Sequence, residues 1–223
     1  MVAGFWKKAA LLYASALLVC GLMFFLPAGT FDYWQAWAYL AIIAALALFV
    51  ILYFMKNDPE FLERRLQMRE KEAQQKRVVA FGLLIFIVGF LLPGFDKRYG
   101  WSFIPFEYVV AADAVVLLGY WLVFLVFREN SYAGRTVRVE KGQKVISTGP
   151  YSVIRHPMYF GMIFMYLATP IALGSYVAFP VFLLVLPMLV FRILNEEEVL
   201  GRELPGYKEY CKRVRYRLIP FVW

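Results

Sequence analysis

Arg192 and Glu196 stand four residues apart, which on a helix puts a guanidinium and a carboxylate on one face. Glu197 and Glu198 follow directly, and three adjacent carboxylates point in different directions, so at least one faces the bundle or the loop above it. The planar fork of Arg192 can hold a carboxylate with two parallel N–H donors. A glutamate in this cation-rich segment suits a cationic small molecule. The plain alternative is an i,i+4 ion pair plus an arginine snorkelling at the end of a membrane span. A second group lies upstream, Gly149-Pro150-Tyr151-Ser152-Val153-Ile154-Arg155-His156-Pro157-Met158-Tyr159-Phe160-Gly161, with the only histidine of the chain. Pro157 suits the first turn of a helix, where its missing N–H costs nothing. The free donors and partial positive charge of that turn favour an anionic group. Here too a plain alternative stands: a membrane-entry cap, with Arg155 and His156 toward headgroups and the tyrosines in an aromatic belt.

The elements that must position these groups are membrane spans. Hydrophobic residues make up 62% of the 223 residues, and mean hydropathy is +0.61. Those values describe an all-α integral membrane protein rather than a soluble domain. Lys7 and Lys8 precede an apolar run from Ala9 to Leu26, too long for a signal-peptide core, so it is expected to be a retained first span. Span two is expected from Trp34 to Met55, a short span three from Val78 to Pro93, and span four from Tyr108 to Phe127, with Asp113 inside it. Residues 157 to 191 hold no formal charge and would run about 52 Å as one helix. Pro170 and Gly174-Ser175 divide that stretch into spans five and six. About six transmembrane helices result. An acid inside a span is a functional candidate by default, but Asp113 is placed near the far interface or against a polar neighbour.

Charge orders the spans. Of 24 Lys and Arg, 22 fall in alternate connections on one side and Lys97 and Arg98 on the other. The positive-inside rule then puts both termini and the long connections in the cytoplasm. The net charge of +8 is thus a topological signal, and no nucleic-acid partner is expected. Two cysteines imply neither a disulfide framework nor a metal site. Residues 56 to 77 are expected to form an amphipathic surface helix starting at Asp58-Pro59, with substrate gating a weaker reading. Residues 135 to 139 alternate like an extended segment, and 141 to 144 resemble a turn. The chain divides into an N-terminal membrane region, 1–127, and a core, 128–223, built of a loop, the helical hairpin 157–192 and a tail.

The run Gly-Pro-Tyr-x-x-x-Arg-His-Pro-x-Tyr-x-Gly at 149–161, then Glu196-Glu197-x-x-Leu200, Tyr207-x-x-Tyr210-x-x-x-Val214 and Leu-Ile-Pro220, resembles the signature of the isoprenylcysteine carboxyl methyltransferase family. The resemblance covers residues 128–223 and extends to the membrane methyltransferases that include phospholipid N-methyltransferases. It implies S-adenosylmethionine as cofactor, held in a cytoplasmic pocket formed by the loop before span five and the C-terminal tail. By position it assigns Gln143, Lys144, Val145 and Ile146 to the adenosine side, with Tyr151, His156, Pro157, Met158 and Tyr159 continuing the pocket. It makes Glu196 the cofactor-binding glutamate and Arg192 the residue facing the substrate. Gln143 replaces a histidine of eukaryotic members, and Arg215-Tyr216-Arg217 replaces a Pro-Thr-Gly-like segment, departures that bear on prenylcysteine as the acceptor.

The implied chemistry is methyl transfer to a lipophilic small molecule or lipid. A carboxylate acceptor is already ionised and needs no base, only positioning and a cation such as Arg192. An amine, with a pKa of roughly 10.4, must first lose a proton, which would make His156 or Glu197 the base. Carboxyl O-methylation therefore leads and lipid-amine N-methylation follows. A sterol-reductase-like nicotinamide enzyme and a non-enzymatic membrane protein remain as alternatives.

Overall fold

The structure, a computed structural model, describes residues 2–66, 73–133, 139–140 and 142–223, and for 2–5, 66 and 73–77 the backbone alone. Nine α-helices and one 3-10 turn order the described residues: α1 (Val2–Ala28), α2 (Trp34–Asn57), α3 (Pro59–Leu66), α4 (Ala73–Tyr99), α5 (Phe106–Glu129), the turn Gly149–Ser152, α6 (Pro157–Ala172), α7 (Phe179–Leu183), α8 (Val185–Glu203) and α9 (Tyr207–Arg213). Among them no strand occurs. Five segments are long and apolar enough to cross a membrane: Trp6–Ala28, Trp34–Asn57, Val78–Tyr99, Phe106–Glu129 and Phe179–Glu203. Their outer faces expose Leu11, Leu18, Leu118 and Phe191, the all-round hydrophobicity of helices solvated by lipid.

The helix expected as a further span, α6, has 16 residues and is about 24 Å long, short of a hydrocarbon core of about 30 Å, so five helices rather than six are long enough to cross. The break expected between spans five and six is present: α6 ends at Ala172, and Gly174 takes φ 74° in the reversal. Pro170 lies within the helix instead of ending it. Span three is longer than expected. Pro93 sits inside α4, which continues to Tyr99; a bundle neighbour supports it there, since a Cβ on Gly94 would stand 2.6 Å from the Phe24 carbonyl oxygen of α1.

Packing is most extensive between α5 and α6. A Cβ added to Gly119 would stand 2.8 Å from the Gly161 carbonyl oxygen, and one added to Gly161 stands 2.8 Å from that of Gly119. Small residues let the two backbones meet where lipid supplies no hydrophobic drive. One core centres on Phe24, Tyr39, Phe90 and Phe182. Another, of Phe54, Phe61, Phe124 and Phe127, seats α3 against α2 and α5.

One end of the bundle is pinned by Asp96, buried to 1% exposure. Its carboxylate accepts from Ser102 N and Oγ (both 2.7 Å) and from Ser175 Oγ (2.5 Å). Tyr33 Oη donates to the Leu173 carbonyl at 2.5 Å. Asp113 lies about two turns into α5 from that end, buried, with Oδ1 lacking a hydrogen-bond partner among the described residues. The start of α3 is as expected: Pro59 opens the helix, and Asp58 Oδ1 accepts from Phe61 N at 3.0 Å. The rest of the expected surface helix falls partly on 67–72, and the expected extended segment mostly on 134–138, outside the described residues.

Candidate functional site

The opposite end holds the groups singled out by their chemistry. Gly149 has φ 54°, a left-handed conformation that favours glycine, and a Cβ there would stand 3.0 Å from the Glu129 carboxyl. Pro157 is the first residue of α6, as its ring requires. Between them Arg155 and His156 turn inward, not toward headgroups, and both are buried. Arg155 Nε donates to Glu197 Oε1 at 2.6 Å, and its Nη1 to the carbonyls of Val214 (2.9 Å) and Arg215 (2.7 Å). His156 Nε2 stands 3.2 Å from the same Glu197 oxygen, and Arg217 Nε donates to Oε2 at 2.7 Å. The backbone repeats the pattern: Arg155 N donates to Tyr216 O and His156 N to Arg217 O, both at 2.9 Å.

Glu197 is therefore the knot that binds the entry to α6, helix α8 and the tail. Burial alone would lower the Arg155 guanidinium pKa, but the Glu197 carboxylate more than offsets it and the net direction is upward, so the cation persists.

One turn away, Tyr159 is 2% exposed. Its hydroxyl donates to Glu196 Oε2 at 2.5 Å and accepts from Arg192 Nε at 3.0 Å. Around this trio opens a cleft with two walls. Gln143, Lys144, Val145 and Ile146 form one wall with Asn130, Tyr132, Ala133 and Tyr151, and Leu200, Leu204, Tyr207 and Tyr210 form the other. Arg155, His156, Met158, Tyr159, Arg192 and Glu196 close the base. The walls touch where α9 begins, with Val145 in the cluster of Leu204, Tyr207, Tyr210 and Val214. Tyr210 Oη donates to the Tyr151 carbonyl at 2.8 Å. Burial pushes the hydroxyls of Tyr151, Tyr207 and Tyr210 well up, leaving them neutral donors at physiological pH.

Of the site residues expected from the sequence, Gln143, Lys144, Val145, Ile146, Tyr151, His156, Met158, Tyr159, Arg192 and Glu196 line this cleft together. Pro157 and Glu197 are not among its lining residues. Asn130, Tyr132, Ala133, Arg155, Leu200, Leu204, Tyr207 and Tyr210 are lining residues outside the expected set. For Leu200, Tyr207 and Tyr210 the signal was their place in the spaced run after Glu196; for Asn130 and Tyr132 local sequence offers none.

The residues present fit S-adenosylmethionine. Val145, Ile146, Met158, Leu200 and Leu204 offer an apolar bed for a purine, Glu196 a carboxylate for its cationic groups, and Lys144 a cation for its carboxylate.

Known proteins agree with this architecture. The solved structure of the eukaryotic intramembrane Ras methyltransferase ICMT (isoprenylcysteine carboxyl methyltransferase) superposes with a TM-score of 0.57 at 20% identity, covering 96% of this chain and 77% of that one. The chain shares that enzyme's fold. The family described as phospholipid methyltransferase matches residues 108–204, from within α5 to the end of α8. Mouse Delta(14)-sterol reductase TM7SF2 is 35% identical over 105 residues, 44% of this chain but only 25% of the reductase. At the level of the superfamily, the fold is the membrane-methyltransferase fold.

Proposed function

We propose that this protein is an S-adenosylmethionine-dependent methyltransferase that acts at the cytoplasmic membrane face on a lipophilic acid, by carboxyl O-methylation. The observation that carries the reading is the trio at the base of the cleft, in which Tyr159 joins Glu196 to Arg192. It sets an anionic and a cationic subsite side by side on one turn of α8. The cofactor, when bound, supplies a methyl group on a cationic sulfur. Glu196 and the 143–146 wall hold that cofactor, and Arg192 orients the acceptor carboxylate at the lipid boundary. Such an acceptor is ionised at neutral pH and needs no base. That suits a cleft whose neighbouring carboxylate, Glu197, already takes hydrogen bonds from two guanidinium groups.

The match to the phospholipid methyltransferase family favours a lipid amine as second acceptor class. The partial match to a sterol reductase favours a nicotinamide as second cofactor class. Calorimetry of the purified protein in detergent separates the cofactors. Saturable micromolar or tighter binding of S-adenosylmethionine or its demethylated product is expected. No heat with either, together with saturable binding of reduced nicotinamide dinucleotide phosphate, would overturn the proposal.

A further inference from the structure

The amphipathic helix α3 does more than rest on the membrane surface. Phe61 and Leu62 bury its apolar side against Phe54, Val126 and Phe127. Its two arginines then reach past the end of α5 to the chain that follows it. Arg65 Nη1 donates to the Ala133 carbonyl at 2.7 Å, with its guanidinium 4.1 Å from the centroid of the Phe127 ring. Arg64 Nη2 donates to the Ser131 carbonyl at 3.2 Å and is held from behind by Glu60 at 3.4 Å. Hydrogen bonds from a guanidinium are charge-assisted and stronger than those between neutral groups, and a cation stacked on an aromatic face adds to them.

The segment so held is part of the cleft. Tyr132 and Ala133 lie on its wall. Asn130 Oδ1 accepts from Tyr132 N at 3.0 Å, and Asn130 Nδ2 donates to the hydroxyl of Tyr151 at 3.0 Å. Tyr132 Oη points to the Gly142 carbonyl at 3.4 Å, one residue before Gln143. A shift at residues 131–133 is therefore transmitted both to Tyr151 and to the 142–146 wall.

We propose that α3 is a clamp on the cleft, with Arg65 and Arg64 as positioning residues that hold residues 130–133, and through them the 142–146 wall, in binding-competent form and so set cofactor affinity. The inference rests on the methyltransferase reading for the identity of the ligand, but not for the clamp itself. Preorganisation gives the expected direction: a wall that must be ordered at the moment of binding weakens the complex.

The test uses the full chain in detergent, with the demethylated cofactor product as probe, and compares the wild type with Arg65→Ala and Arg65→Gln. Arg65→Ala is expected to bind about tenfold more weakly, the loss of one charge-assisted bond partly recovered by relaxation of the wall. Amide exchange in residues 142–146 should accelerate in the absence of ligand. Arg65→Gln keeps a donor for the Ala133 carbonyl and should recover part of both effects. Arg65 acting only on stability would lower the unfolding temperature and leave affinity and wall exchange at wild-type values, which overturns the clamp. Should Arg65→Ala fail to fold, the same two readouts on Arg65→Gln decide, and wild-type values there overturn it. If the wild type binds no product at all, the methyltransferase reading fails. Exchange at 142–146 still judges the clamp, and an unchanged rate in both variants rejects it.

Discussion

Tyr159 uses one hydroxyl on two side chains of α8, accepting from Arg192 and donating to Glu196. If Arg192 serves only as a membrane-end cation, lysine should replace it nearly silently. If it clamps an acceptor carboxylate, Arg192→Lys loses a bidentate contact of roughly 1.5–3 kcal/mol, and turnover should fall by about ten- to a hundredfold. Cofactor affinity should hardly change. Glu196→Gln should do the reverse, weakening cofactor binding first. Equilibrium cofactor binding, and turnover with one lipophilic acid that the wild type methylates, measured on both variants, check the split. Glu197 has a different expected signature. With Arg155 buried and Arg217 at 32% side-chain exposure, Glu197→Gln should lower stability by about 3 kcal/mol, near the low end for breaking a buried pair. A drop in unfolding temperature without a new inflection in the pH–rate profile is the expected result; a shifted profile at unchanged stability would make it a base. The Arg192–Glu196 spacing was legible because an i,i+4 relation is local. The partners of Glu197 were not, since Arg155 lies 42 residues before it and Arg217 20 after. The Arg215-Tyr216-Arg217 segment works largely through backbone carbonyls, which side-chain types do not reveal.

At the scale of elements, α6 is the piece on which the cleft depends, since Met158 and Tyr159 ride on its first turn. Its position is set by the Gly119–Gly161 contact with α5. A methyl group at Gly161 would meet a backbone oxygen at 2.8 Å, which cannot move aside as a flexible side chain could. Gly161→Ala should therefore cost about 1–3 kcal/mol by overpacking and weaken ligand binding along with stability. Gly201, within α8 and with nothing within 4 Å of an added Cβ, is the control. There alanine should be neutral or stabilising by up to about 1 kcal/mol. Thermal unfolding of the two variants in one detergent compares them directly, and equal midpoints would show that the α5–α6 crossing is looser than its geometry. Hydrophobic runs made most helices legible, but not where α4 ends. Its last turn holds Asp96, Lys97 and Arg98, residues that resemble a loop until the buried Asp96 is seen to tie three segments together.

The whole molecule has two unlike ends, and the structure groups them independently of any charge count. Connections 29–33, 100–105 and 173–178 meet at one end: Tyr33 bonds to Leu173, Tyr176 N donates to Ser102 Oγ at 3.1 Å, and Gly29 lies beside the Arg98 guanidinium. At the other end α3, residues 130–133, residues 142–156 and the tail meet through Arg65, Arg155 and Arg217. Of the 24 basic residues, 22 belong by sequence to segments of this second end and Lys97 and Arg98 to the first. By the positive-inside rule we propose that this second end faces the cytoplasm, where a soluble cofactor would be available to the cleft. Cys20 and Cys211 are the two native thiols. With both replaced by serine, single cysteines at Thr30, Phe103 and Glu209 should divide by end. A membrane-impermeant maleimide added to intact cells should label Thr30→Cys and Phe103→Cys, and reach Glu209→Cys only after permeabilisation. Labelling of Glu209→Cys in intact cells with protection of the other two would invert the protein in the membrane. It would also put the cleft on the side where a cytosolic cofactor cannot reach it, so the same measurement bears on the fold's orientation and on the proposed chemistry.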